Sequence, residues 1–144
     1  FHAALAAGRV LAHMMIVRAA ADAPARPQLI VPVPLHRARL RERGYNQALE
    51  LAAPLARALG VPLRHDLLLR LRATPAQTGL DAKARRRNLR GAFALAAGTE
   101  PPDHVVLLDD VMTTGATVRE AARTLHRAGV PRVDVWVLAR APPR

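Results

Sequence analysis

Read as a pattern of apolar and polar positions, the chain alternates strand-like and helix-like segments. Residues 105–108 (Val-Val-Leu-Leu) are four apolar positions in succession behind Pro101-Pro102. Such a run predicts a fully buried strand of a parallel sheet. Asp109 and Asp110 are expected at its end, followed by a hydroxyl-rich loop with one glycine, Thr113-Thr114-Gly115-Ala116-Thr117. The period then becomes helical, with Val118, Ala121, Ala122 and Leu125 on one face and Gly129 as the stop. Upstream, apolar positions including Leu5, Leu11, Met15 and Ile16 predict an N-terminal helix over residues 1–21. Gln28–Pro34 reads as the first core strand, its end set by Pro32 and Pro34. His36–Arg43 reads as a charged loop ending in Gly44-Tyr45-Asn46. A helix runs from Asn46 to Gly60, where Pro54 should kink it or shift its start. Val61–Leu63 and Leu67–Leu71 look extended, and Ala92–Leu95 and Val133–Leu138 look like strands.

This alternation predicts an α/β fold with a mostly parallel sheet flanked by helices. Ligands of such sheets sit off the carboxyl ends of the strands. That rule gathers Pro34–Arg37, Asp109-Asp110 and Thr113–Thr117 around one crevice. Residues 72–90 carry much charge and few large apolar side chains. They are long for a structureless connection, which marks a functional loop.

Composition narrows the choices. The 144 residues are 51% hydrophobic, enough for one domain with a real core. No apolar run is long enough to span a bilayer and no secretion signal opens the chain, so a cytoplasmic location without membrane insertion is expected. Cysteine is absent, which excludes a disulfide framework and a thiolate metal site, and the six histidines show no metal-ligand spacing. The net charge of +11 is concentrated: residues 37–90 hold thirteen basic residues against four acids. Local basicity of this kind favours a polyanionic ligand, and pyrophosphate and nucleic acid both qualify. A bias toward arginine codons explains the preference for Arg over Lys but not the clustering. The chain starts at Phe1 without Met, so a fragment of a longer protein is expected.

The chemistry sits in residues 109–117. Backbone N–H groups that open a helix lack intrahelical partners, and the helix dipole there favours an anion. Gly115 lets the backbone approach a phosphate, and the hydroxyls of Thr113, Thr114 and Thr117 can donate to its oxygens. Asp109 and Asp110 would repel a phosphate. They suit neutral sugar hydroxyls one sugar length away, or a magnesium ion carrying further phosphates. Two plainer accounts stand beside this one. Thr117 and Glu120 have capping-box spacing, and paired aspartates at a strand end can be a solvated turn.

Residues 105–117 resemble the phosphoribosyl-pyrophosphate (PRPP) motif of type I phosphoribosyltransferases along its whole length. They resemble neither a Walker loop nor a GxGxxG fingerprint. Three further blocks resemble the ComF/GntX family of competence-associated phosphoribosyltransferase-like proteins. They are Val31-Pro-Val-Pro-Leu-His36 with Arg37, Arg39, Leu40, Arg43, Gly44, Tyr45, Asn46 and Gln47; Arg72, Thr74, Gln77 and Leu80; and Arg86, Arg87, Asn88 and Gly91-Ala-Phe93. The resemblance spans about residues 29–138 and implies the type I phosphoribosyltransferase fold with a small flexible hood over residues 72–90. It implies that Asp109 and Asp110 hold the ribose hydroxyls, with Mg2+ directly or through water, and that Thr113, Thr114, Gly115, Ala116 and Thr117 wrap the 5′-phosphate. Leu35, His36 and Arg37 would form the pyrophosphate loop, assisted by Arg72, Arg86 and Arg87. Family members usually carry a four-cysteine zinc ribbon ahead of this domain, and this sequence has none.

Transfer would displace pyrophosphate from Mg-PRPP by a nitrogen nucleophile, with Asp109, Asp110, Arg37 and Arg72 as the catalytic set. The 6-oxopurine transferases place an aspartate where Thr113 stands. Threonine takes no proton near neutral pH, which argues against hypoxanthine or guanine as acceptor. No residue marks an acceptor-base site. The rival expectation is a non-catalytic module that binds single-stranded DNA or competence-machinery proteins and keeps PRPP as a regulatory ligand. Tyr45 is expected to pack rather than stack on a base, and aromatic residues for stacking are scarce.

Overall fold

The computed structural model describes residues 14–17, 26–73 and 87–141. Of the N-terminal helix expected over 1–21, residues 14–17 are helical and the remainder lies outside the described residues. So do residues 74–86 of the expected hood, with Thr74, Gln77, Leu80 and Arg86 among them.

The elements run β1 (Leu29–Pro32), α1 (Arg37–Arg43), α2 (Gln47–Leu59), β2 (Leu68–Arg70), β3 (Phe93–Leu95), β4 (His104–Met112), α3 (Ala116–Arg127) and β5 (Arg132–Arg140). β4 is the central strand of a three-stranded parallel sheet ordered β1-β4-β5. β2 and β3 form a separate antiparallel pair, with Arg70 opposite Phe93.

The four-residue apolar run is continuous because both faces of the central strand are covered. Val105 and Leu107 point into one core with Leu29, Val31, Leu68, Leu89, Phe93, Val118 and Leu125, beneath α3 and the β2–β3 pair. Val106 and Leu108 point into the other with Ile30, Leu51 and Leu55, beneath α2. All four are fully buried. Register is fixed by this alternation, since a one-residue slip would exchange the two cores.

β4 continues past the run, so the expected strand end at Asp109 is corrected. The ladder with β5 pairs Asp109 with Val137, and pairing resumes at Val111 with Ala139. Both carboxylates therefore project from a strand rather than a turn. The charged stretch after His36 is also corrected, from loop to helix. The His36 ring accepts from the Ala38 N–H at 3.2 Å, and Gly44 closes α1 at φ 79°. No residue of α1 is buried, so its sequence carries no apolar stripe. α2 follows the expected bounds. The Asn46 side chain caps it by accepting from the Ala48 N–H, and Gly60 ends it at φ 61°. Pro54 lies inside it and does not displace its start.

Candidate active site

The carboxyl ends of β1 and β4 are tied together before any ligand is considered. The Val33 N–H donates to the Leu108 carbonyl at 2.8 Å. Asn46, while capping α2, donates its side-chain amide to the Val33 carbonyl at 3.2 Å. Leu35, His36 and Arg37 thus leave β1 next to the place where Asp109 and Asp110 emerge from β4. Leu35 and His36 are half-buried and Arg37 is exposed. His36 spends Nδ1 on capping α1, so any ligand contact from its ring falls to Nε2.

Beyond β4 the chain turns through residues 113–115 into α3. Gly115 is the N-cap residue, at φ 69°, in the left-handed region that L side chains rarely adopt. A Cβ there would lie 3.2 Å from the Met112 sulfur. No side chain caps α3, so its first N–H groups are left for another acceptor. Asp109, Val111, Met112, Thr113, Thr114, Gly115, Ala116, Thr117 and Val118 line a single cleft open to solvent. Thr113 and Thr114 are exposed and Thr117 half-buried. The capping-box account of Thr117 and Glu120 does not hold, because Gly115 is the cap. Glu120 instead lies buried and accepts from the Gly91 N–H at 2.9 Å.

The two aspartates differ in environment. Burial, reinforced by the neighbouring Asp110 charge, pushes Asp109 up to about 7. Each carboxylate accepts from the next backbone amide: Asp110 N–H to Asp109 Oδ1 at 3.0 Å, and Val111 N–H to Asp110 Oδ1 at 2.7 Å. Among the described residues no cluster of three or more His, Cys, Asp or Glu side chains could cage a metal ion. Two carboxylates suit a magnesium ion that keeps its waters and takes further oxygens from a bound diphosphate. This donor set fits an ion that a bound diphosphate helps to hold.

One arginine that the sequence did not single out, Arg70, stands near this pair. Arg70, from β2, stacks over the Phe93 ring at 5.6 Å, and its charge acts on Asp109. The desolvation of Arg70, with Arg39 as a like charge beside it, lowers its own pKa. No alternation of residue type marked it, since Leu68 and Leu69 are both apolar; only the strand puts Arg70 on the same face as buried Leu68. Arg72 is exposed and donates from Nη1 to the Arg90 carbonyl at 3.0 Å, bracing the two ends of the 73–89 segment. Arg87 is exposed on the helical turn 87–89. Tyr45, expected to pack, is 48% exposed.

Comparison with known proteins places this geometry. Residues 46–144 match the phosphoribosyl transferase domain model. Competence protein F of Haemophilus influenzae is 45% identical over 117 residues, covering 80% of this chain and 51% of that protein. The DNA utilization protein YhgH of Salmonella typhi is 41% identical over 138 residues, 96% of this chain and 60% of that protein. The chain thus spans about half the length of such relatives. Among solved structures, the allosteric regulatory enzyme of purine biosynthesis superposes with a TM-score of 0.57 at 20% identity, over 91% of this chain and 25% of that one. At that identity the likeness establishes the fold alone. Among the described residues no helix is long and apolar enough to cross a membrane.

Proposed function

The chain belongs to the phosphoribosyl transferase domain family, with competence protein F among its relatives, and from that premise we propose that it binds Mg-PRPP in the 109–118 cleft and transfers its phosphoribosyl group to a nitrogen acceptor. The observation that carries this reading is the side-chain-free N-terminus of α3, entered through left-handed Gly115, directly beyond two strand-borne carboxylates. The loop N–H groups and the hydroxyls of Thr113, Thr114 and Thr117 take the 5′-phosphate. Asp109 and Asp110 take the ribose 2′ and 3′ hydroxyls.

Transfer forms a bond between the acceptor nitrogen and ribose C1 and breaks the C1–oxygen bond to pyrophosphate, which leaves with the electron pair. The acceptor's proton goes to pyrophosphate or solvent. Positive charge grows on the ribose ring, next to the two carboxylates, and negative charge grows on pyrophosphate. Leu35, His36, Arg37, Arg72 and Arg87 are the groups assigned to that leaving side, with Arg37 and Arg72 the principal charges; Arg86, assigned with them from the sequence, lies outside the described residues. Catalysis is then positioning plus electrostatic stabilisation. Magnesium held by Asp109, Asp110 and the ligand's own phosphates would supply further neutralisation of the leaving group.

The test is pyrophosphate release from Mg-PRPP over a panel of nitrogenous acceptors, wild type against Asp110→Asn. Release with one acceptor class, abolished in the variant, supports transfer; none with any acceptor removes the catalytic half of the reading.

A second reading rests on α1, four arginines among seven residues of which none is buried. This favours a polyanion, here single-stranded DNA linked to DNA uptake, with PRPP as a regulatory ligand. Binding driven by phosphate contacts would weaken steeply with salt and ignore magnesium; salt-insensitive binding would rule it out.

A further inference from the structure

Glu120 is buried, at 5% exposure, and the phosphoribosyl chemistry does not use it. It lies on α3, one turn beyond the cleft-lining residues Ala116, Thr117 and Val118. Its carboxylate accepts from the Gly91 N–H at 2.9 Å and is 3.9 Å from the Arg123 guanidinium. Gly91 stands at φ 69° and ends the turn that carries Arg87 and Arg90. Three other contacts fix the same turn. Arg72 holds the Arg90 carbonyl, the Leu71 N–H donates to the Ala92 carbonyl at 2.8 Å, and Leu89 is buried with Ala116 and Val118. A carboxylate taken out of water for one backbone amide and one long ion pair is a costly way to hold a turn unless its placement matters.

We propose that Glu120 is a positioning residue, holding the 87–91 turn and its arginines against the phosphate-loop helix so that they reach the pyrophosphate end of a ligand seated at residues 113–117. The inference rests on the PRPP reading above and adds to it the link between the two ends of the ligand. The device depends on reach, not charge. Glu120→Gln keeps the side-chain length and an acceptor oxygen for Gly91. Glu120→Asp keeps the charge but is one methylene too short.

The experiment measures Kd by titration calorimetry for two probes, Mg-PRPP and ribose 5-phosphate, on wild type and both variants. Ribose 5-phosphate engages the loop and the aspartates but has no pyrophosphate. Glu120→Asp should lose roughly tenfold affinity for Mg-PRPP, the worth of about one hydrogen bond, and none for ribose 5-phosphate. Glu120→Gln should match wild type on both. Equal loss in the two variants, or parallel loss of both probes in Glu120→Asp, overturns the positioning role and leaves the PRPP reading standing. Wild type that binds neither probe overturns that reading and this inference with it. Should Glu120→Asp not fold, amide exchange at Gly91 in wild type decides: Mg-PRPP must slow it more than ribose 5-phosphate does, and equal slowing refutes the link.

Discussion

Asp109→Asn should make the protein more stable while destroying its ligand site, and the gain should depend on pH. An ordinary aspartate ionises near 3.8, whereas burial and the Asp110 charge push Asp109 up to about 7. Between those values the folded chain binds more protons than the unfolded one, so stability falls as pH rises and then stays flat above about 7. At roughly 1.36 kcal/mol per pH unit, the full cost of ionising Asp109 in the fold is about 4 kcal/mol at pH 8. At pH 5 the side chain is mostly protonated in the fold, and the cost shrinks to roughly 2 kcal/mol. Asparagine has the shape of the protonated acid and can still accept from the Asp110 N–H, so it avoids this cost at every pH. Urea denaturation followed by the fluorescence of Trp136, the sole tryptophan, reads the difference. With an m-value of about 2 kcal/mol/M, the variant's midpoint should exceed wild type by roughly 2 M at pH 8 and about 1 M at pH 5. A variant that is no more stable at pH 8, or equally favoured at both pH values, would refute the assignment of a buried, charge-crowded Asp109.

Gly115→Leu should destabilise the fold by about 1–2 kcal/mol, because its backbone is left-handed and its Cβ would press on the Met112 sulfur. The same variant should lose ribose 5-phosphate binding in a calorimetric titration, and unchanged affinity would separate the loop from the phosphate site. Asn46→Ala removes the α2 cap together with the bond to the Val33 carbonyl, and should cost roughly 1–2 kcal/mol in urea denaturation. A change near zero would mean that the junction of β1 and β4 is held by the sheet alone.

The parts of the fold legible in the sequence are those where one physical cause dominates. Val105–Leu108 had to be a strand covered on both faces, and it is. The helix opened by Asn46 and closed by Gly60 carried its caps in its own sequence. α1 was read as loop because no residue of it is buried, so no apolar period could announce it. His36 and Gly44, which bound it, were its only signal. β4 was expected to stop at Asp109, since aspartate disfavours strands. The ladder with β5 overrides that preference by tertiary pairing through Met112. Arg70 escaped notice because a three-residue strand offers too short an alternation to show which face is inward. The Thr117–Glu120 spacing suggested a cap, while the fold uses Glu120 against Gly91, a partner 29 residues away that local pattern cannot name.

The central claim is that one cleft binds Mg-PRPP through Asp109, Asp110 and the loop to Thr117. Calorimetric titration of Mg-PRPP into wild type and Asp110→Asn, repeated with the metal chelated, tests it most directly. The account predicts saturable one-site binding in wild type, lost both in the variant and on chelation. Absence of binding in wild type, or binding that survives both Asp110→Asn and chelation, would contradict it.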